Sequence, residues 1–168
     1  MYKQLLYLIF SIIALSFLNG CDNTGMINIG EQSGVELQLQ GTINDYRKSK
    51  GLSELQVDPV VYEQAKLYLL KLLEDEERFL LRAEDTQISS EFFNNVRRDM
   101  LIPVSRVDGC VAFNDNLDPA TTAFESLKAF GVCKNKIESG SFTHLGVATM
   151  QNRFGMFYFV VFFVQASE

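Results

Sequence analysis

The sequence is poor in histidine and cysteine, the residues that most often build metal and thiol sites. It has one histidine, His144, and three cysteines. It contains no CxxC pair, no HExxH motif and no glycine-rich phosphate loop, which excludes the zinc, thiol-redox and nucleotide sites that these motifs mark. A lone histidine without a neighbouring acid is more often a hydrogen-bonded structural residue than a catalytic one.

Basic residues are also scarce relative to acidic ones. The 168 residues include 15 Lys and Arg against 21 Asp and Glu, a net charge of −6. Lys3 is the only charge in the first twenty residues, so without that segment 14 basic and 21 acidic residues leave −7. Phosphate backbones and anionic headgroups repel such a chain. We therefore expect no nucleic-acid partner and no charge-driven attachment to membranes.

A long apolar run occurs at the N terminus. Lys3 is followed by the almost wholly apolar residues 5–18 and then by Leu18-Asn19-Gly20-Cys21. A charged start, an apolar stretch and a small residue are the marks of a secretory signal peptide. The last four residues resemble the bacterial lipobox, whose cysteine is lipidated and begins the mature protein.

This pattern predicts three regions. Residues 1–20 are expected to be the signal peptide, 21–32 a lipidated Cys21 with a short tether, and 33–168 one domain. The predicted protein is a palmitate-bearing lipoprotein of the bacterial envelope, anchored to a membrane through Cys21 and facing the periplasm. The alternative is an uncleaved transmembrane anchor, since the apolar run is near the shortest that spans a bilayer.

The remaining cysteines are Cys110 and Cys133. Disulfides persist in exported domains, so we predict that these two cysteines pair. The alternative is two separate buried thiols, because free cysteine is often simply buried.

Two apolar arms near the C terminus, 142–150 and 156–164, flank a turn containing Gly and Asn and predict a β-hairpin. The second arm is apolar at every position, which indicates a strand covered on both faces. The sequence also predicts four helices, at 34–50, 58–82, 90–101 and 118–130. Between them we expect an extended connection at 52–57 and a strand within 102–113 that is interrupted at Asp108-Gly109. A loop with a short helical turn is expected at 134–140. The predicted fold class is α+β, an α-β-α sandwich with a small, mainly antiparallel sheet.

Three stretches of the chain resemble motifs of the CAP superfamily, the cysteine-rich secretory protein, antigen 5 and pathogenesis-related group, also called SCP-like. They are Ile43 to Arg47 with the following Gly51 to Asp58 and Tyr62 to Ala65, then Gly131-Val132-Cys133-Lys134-Asn135, then Phe142-Thr143-His144-Leu145-Gly146-Val147-Ala148. Together they span about residues 40–165, nearly the whole predicted domain. The resemblance implies an α-β-α sandwich, in agreement with the apolar last strand.

Many members of this family carry a cleft with two histidines and two glutamates that can hold a divalent metal. Three of these positions match Tyr68, Cys110 and Val132 here. The resemblance therefore implies a degenerate, non-enzymatic domain with no metal and no cofactor. We expect its ligand-binding cleft to be lined by Tyr68, Val132 and His144 and to take an apolar lipid or a peptide or protein ligand.

Two other functions remain open from the sequence. One is a hydrolase or peptidase that uses His144 with a carboxylate such as Glu138 or Glu125. The other is a purely structural envelope lipoprotein without a ligand.

Overall fold

The structure, a computed structural model, describes residues 32–74 and 90–167. These residues form five helices and four strands; in chain order they are α1 (Gly34–Ser49), β1 (Gln56–Val57), α2 (Pro59–Glu74), α3 (Ser90–Asp99), β2 (Val104–Asn114), α4 (Pro119–Ala129), α5 (Gly131–Ile137), β3 (His144–Gln151) and β4 (Phe157–Ala166). None of the described helices is long and apolar enough to span a bilayer. The predicted signal peptide, Cys21 and tether lie outside the described residues, as does the predicted part of the second helix beyond Glu74.

The four strands form one sheet in the order β1-β3-β4-β2. β4 pairs antiparallel with both β2 and β3, while β1 pairs parallel with β3. From Tyr158 to Val164 every residue of β4 is buried, and alternate side chains enter two different apolar clusters. One cluster includes residues of α1, α4 and α5, and the other includes residues of α2 and α3. We call these sides the disulfide face and the α2 face, and the predicted sandwich with a doubly buried last strand is confirmed.

Local hydrogen bonds set the starts of three helices. At α1, Ser33 and Glu36 form the reciprocal capping box that their spacing predicts. The Asp58 carboxylate accepts from the backbone N–H groups of Val60 and Val61 at α2, and Asp118 caps α4 in the same manner. Because these caps depend only on neighbouring residues, the sequence predicts them well.

Two predictions about β2 and α5 were wrong. β2 runs without interruption through Asp108 and Gly109, which pair with Phe163 and Phe162 of β4; the irregularity lies between Val104 and Arg106 instead. Pairing with the central strand overrides the local turn preference of Asp-Gly. Residues 131–137 form a seven-residue helix where a shorter turn over 134–140 was predicted.

The predicted connection at 52–57 also contributes to the sheet. Its last two residues form β1, because the N–H of Gln56 donates to the carbonyl of Thr143 and the N–H of Asp58 donates to that of Leu145. Beyond this short strand, a side chain of α1 caps the outer edge of β3. The buried Glu36 carboxylate accepts the backbone N–H of Thr149 at 2.7 Å. This bond ties the start of α1 to the edge of β3 and blocks edge-to-edge pairing there.

The predicted Cys110–Cys133 disulfide is confirmed. It joins β2 to α5 with a Cα–Cα distance of 5.9 Å and a sequence separation of 23. Cys110 is buried in the cluster on the disulfide face, and Cys133 packs at its margin.

Removing this bridge should destabilise the domain. We expect the double variant Cys110→Ser/Cys133→Ser to lose about 3 kcal/mol of unfolding free energy, the value for a loop of this length in the chain-entropy model. Urea denaturation of the oxidised wild type and the variant measures the difference. A reductant should move the wild-type midpoint toward that of the variant and leave the variant unchanged. Equal midpoints without reductant would contradict a stabilising role for the bridge.

Candidate functional site

Tyr68 lies in an aromatic cluster on the α2 face. Its ring centroid is 5.1 Å from that of Phe92 on α3 and 5.5 Å from that of Phe162 on β4, both at steep interplanar angles. Burial raises the pKa of the Tyr68 hydroxyl, so the group stays neutral at physiological pH. The arrangement gives an aromatic wall between two helices and the sheet, with the Lys71 ammonium 5.5 Å from the Phe92 ring centroid.

His144 begins β3 and is half-buried. Leu145 enters the cluster on the disulfide face and Ala148 enters the one on the α2 face, so strand alternation puts His144 on the α2 face. Its Nδ1 lies 2.9 Å from the hydroxyl oxygen of Thr143. The imidazole thus shares a sheet face with Tyr68 and lies beside the neutral hydroxyl of Thr143, the residue just before β3.

Val132 lies on α5 and is 50% exposed. Cys133 and Ile137, on the same helix, pack into the cluster on the disulfide face. The three residues of the predicted cleft therefore do not share one face of the sheet. The cause is the bond between Cys110 and Cys133, which holds α5 on the side opposite Tyr68 and His144.

Charged groups reinforce the attachment of α5 to β2. The Lys136 ammonium donates to the carbonyl of Gly109 at 2.8 Å and lies 3.7 Å from the Asp108 carboxylate. Arg106 pairs with the other oxygen of Asp108 at 2.5 Å. Only 11% of the Lys136 side chain is exposed. Helix α5 is thus attached to β2 by the disulfide at Cys133 and, one turn later, by the mostly buried side chain of Lys136.

The two carboxylates considered for a hydrolase have other partners. Glu138 accepts the Tyr46 hydroxyl at 2.5 Å, and this hydrogen bond raises the pKa of Tyr46. Glu125 pairs with Lys128 at 3.0 Å on the surface of α4. The Nδ1 atom of His144 contacts the Thr143 hydroxyl, so each of these three side chains has another partner. Within the described part of the chain, no three His, Cys, Asp or Glu side chains are grouped to hold a metal ion.

A buried polar pair at the edge of β3 was not predicted. Glu36 is 3% exposed and accepts the N–H groups of Ser33 and Thr149. Tyr62 of α2 approaches it, and burial, followed by the charge of Glu36, raises the pKa of Tyr62 to about 12. The capping-box spacing identifies Glu36 as a helix cap, but no local signal reveals its bond to a residue 113 positions away.

Arg47 is a second buried polar group with a structural role. It is 1% exposed, and its guanidinium donates to the backbone carbonyls of Ser53, Ile137 and Ser139 at 2.7–2.9 Å. It thereby joins the end of α1 to the loop after α1 and to the C-terminal end of α5. The motif resemblance includes this arginine but does not indicate its three acceptors.

Comparisons with known proteins agree with this architecture. No family model matches the chain, and no curated protein matches it by sequence. Among solved structures, an outer surface protein from Borrelia burgdorferi is similar with a TM-score of 0.64 at 15% identity, covering 82% of this chain and 99% of that one. An extracellular SCP-domain protein from Bacillus anthracis is similar over 79% of this chain and 40% of its own length, with a TM-score of 0.60 at 14% identity.

A third similar structure comes from a eukaryote. Venom allergen-like protein 4 from Schistosoma mansoni has a TM-score of 0.55 at 11% identity and covers 82% of this chain and 92% of its own. At these identities the likeness concerns the fold. The described residues therefore have the α+β fold of the SCP, or CAP, domain, as the sequence motifs predicted.

Proposed function

We propose that this protein is an envelope lipoprotein, held to a membrane by lipid on Cys21, whose SCP-type domain has a binding or scaffolding role without catalysis. The observation that carries the proposal is the match to the outer surface protein of Borrelia burgdorferi, which this fold covers over 99% of its length. The lipobox-like sequence before Cys21 supplies the means of attachment.

The partners of the polar side chains support a non-catalytic role. A general base must reach its substrate proton, and a nucleophile needs a base beside it. Here Glu138 is bound to Tyr46, Glu125 to Lys128, and Cys133 to Cys110. The two carboxylates and the cysteine considered for hydrolysis thus each have another partner within the domain.

The aromatic cluster around Tyr68 supports an apolar ligand. Tyr68 is the half-buried member of a cluster whose other rings, Phe92 and Phe162, are buried, and its neutral ring suits an acyl chain or an apolar peptide side chain. Native mass spectrometry of the full chain, released from detergent without chelator, tests this. A noncovalent adduct with the mass of a lipid, bound by less of the protein when Tyr68 is replaced by alanine, would identify a lipid ligand. A bound divalent metal would contradict the non-enzymatic proposal.

Attachment through Cys21 gives a direct prediction. We expect Cys21→Ser to lack the acyl mass that intact-mass spectrometry finds on the wild type, because the thiol that carries the lipid would be absent. The control is Cys110→Ser/Cys133→Ser, which should keep its acyl group. A wild-type protein that retains residues 1–20 and carries no acyl mass would instead support an uncleaved apolar anchor.

A further inference from the structure

Three large apolar side chains are exposed in one region of the domain. Leu37 on the first turns of α1 is 53% exposed, Leu117 before α4 is 106% exposed, and Phe154 in the β3–β4 turn is 72% exposed. Single exposed apolar residues are common on protein surfaces, whereas a group of them indicates contact with a partner or a membrane.

Hydrogen bonds and strand pairing place the three side chains at the same end of the sheet. Glu36, next to Leu37, binds the N–H of Thr149, which lies close before the β3–β4 turn. Gln38, on the other side of Leu37, donates to the Asp118 carboxylate at 3.2 Å, and Asp118 adjoins Leu117. The end of β2 at Asn114 pairs with Phe157 at the start of β4, so the loop after β2 and the turn before β4 leave the sheet together. We call this surface, formed by Leu37, Leu117, Arg153 and Phe154, the tether end.

The described chain also begins at the tether end. Gln32 directly precedes the Ser33 cap of α1, whose partner Glu36 is bound to β3. Residues 22–32 separate it from Cys21 and can reach at most about 36–40 Å when fully extended. A domain of this length is about 35 Å across. A lipid on Cys21 therefore keeps the domain within about one diameter of the bilayer, and the chain enters the domain at the end that carries Leu37, Leu117 and Phe154.

The chemistry of the tether end suits a lipid surface. The Arg153 guanidinium lies 4.7 Å over the ring of Phe154, a cation and an aromatic ring combined as at membrane interfaces. The turn that presents them is well bonded, because the Asn152 side chain accepts the N–H groups of Phe154 and Met156. The protein's negative charge disfavours anionic lipids, so the contact depends on apolar insertion and does not require them.

We propose that the tether end docks on the bilayer that holds the anchor, with Leu117 and Phe154 inserted among the lipid headgroups. This inference rests on the lipid anchor of the proposed function. Docking fixes the orientation of the domain and turns the opposite end, where Leu101 precedes β2, toward the surrounding space.

The absence of tryptophan from the sequence permits a clean test. Leu117→Trp, Phe154→Trp and the control Leu101→Trp each introduce one tryptophan into the full lipidated chain. Leu101 and Leu117 form a matched pair, with exposed fractions of 103% and 106% at opposite ends of the sheet. The proteins are reconstituted into phosphatidylcholine vesicles with and without brominated acyl chains, floated, and measured for emission wavelength and quenching.

We expect the tryptophans at 117 and 154 to shift to shorter wavelength and to be quenched several-fold more than the one at 101. Circular dichroism checks that each variant is folded. If Leu117→Trp is unstable, the emission and quenching of the conservative Phe154→Trp variant still test the docking. Floated protein with all three tryptophans unquenched, or all three quenched equally, would overturn docking and leave the anchor intact. Protein that does not float would overturn the anchor and the docking with it.

Discussion

Gly146→Ala is expected to lower the free energy of unfolding by about 3 kcal/mol, the upper part of the usual range for an overpacked core. A β-carbon at this position would lie 2.5 Å from the backbone nitrogen of Tyr62 and from the carbonyl carbon of Val61, and 2.7 Å from the Val61 oxygen. Both neighbours are backbone atoms in the first turn of α2, so no side-chain rotation relieves the contact. The helix cannot withdraw easily, because the Asp58 carboxylate and carbonyl hold that turn.

Urea denaturation followed by circular dichroism measures this effect, with Gly41→Ala as the matched control. Gly41 lies within α1, is exposed, and a β-carbon there would have no atom of another segment within 4 Å. Alanine at this position should raise the stability by about 0.5–1 kcal/mol, because it favours a helix over the unfolded chain. If the urea midpoint of Gly146→Ala equals that of the wild type, α2 and β3 can move apart without loss of stability, which would contradict this prediction.

The contrast between these glycines shows which parts of the fold the sequence reveals. The capping box of α1, the N-cap of α4, the hairpin turn and the apolar last strand depend on residues a few positions apart, and the structure has all of them. The close approach of α2 to Gly146 depends on how a helix and a strand meet after folding. The motif resemblance includes this glycine, but the sequence gives no reason for it until the backbone of Val61 and Tyr62 is seen above it.

The same distinction applies to the candidate site. Strand alternation predicts that His144 and Gly146 share a face, and both lie on the α2 face, as Tyr68 does. The position of Val132 depends instead on where the disulfide holds α5, which residue spacing alone does not specify. The exposed side chains of the tether end come from three separate segments of the chain, so only the contacts between those segments show that they form one surface.

Arg47→Ala is expected to produce the largest loss, about 4 kcal/mol, since three buried carbonyls would each lose their donor at about 1–3 kcal/mol. Burial lowers the pKa of Arg47, which shows that its charge is costly to desolvate, yet the guanidinium remains protonated at neutral pH. Its hydrogen bonds to Ser53, Ile137 and Ser139 offset that cost and hold together segments about 90 residues apart.

The geometry of these bonds makes lysine a poor substitute for Arg47. The Nε–H of Arg47 donates to the carbonyl of Ser53, and one terminal nitrogen donates to the carbonyls of both Ile137 and Ser139. A single ammonium group cannot reproduce this forked arrangement. Arg47→Lys should therefore recover less than half of the loss in a urea titration, and Arg97→Ala on the exposed side of α3 should change stability by under about 0.5 kcal/mol. Full recovery by lysine would mean that charge alone stabilises this junction and that the three-way fork is dispensable.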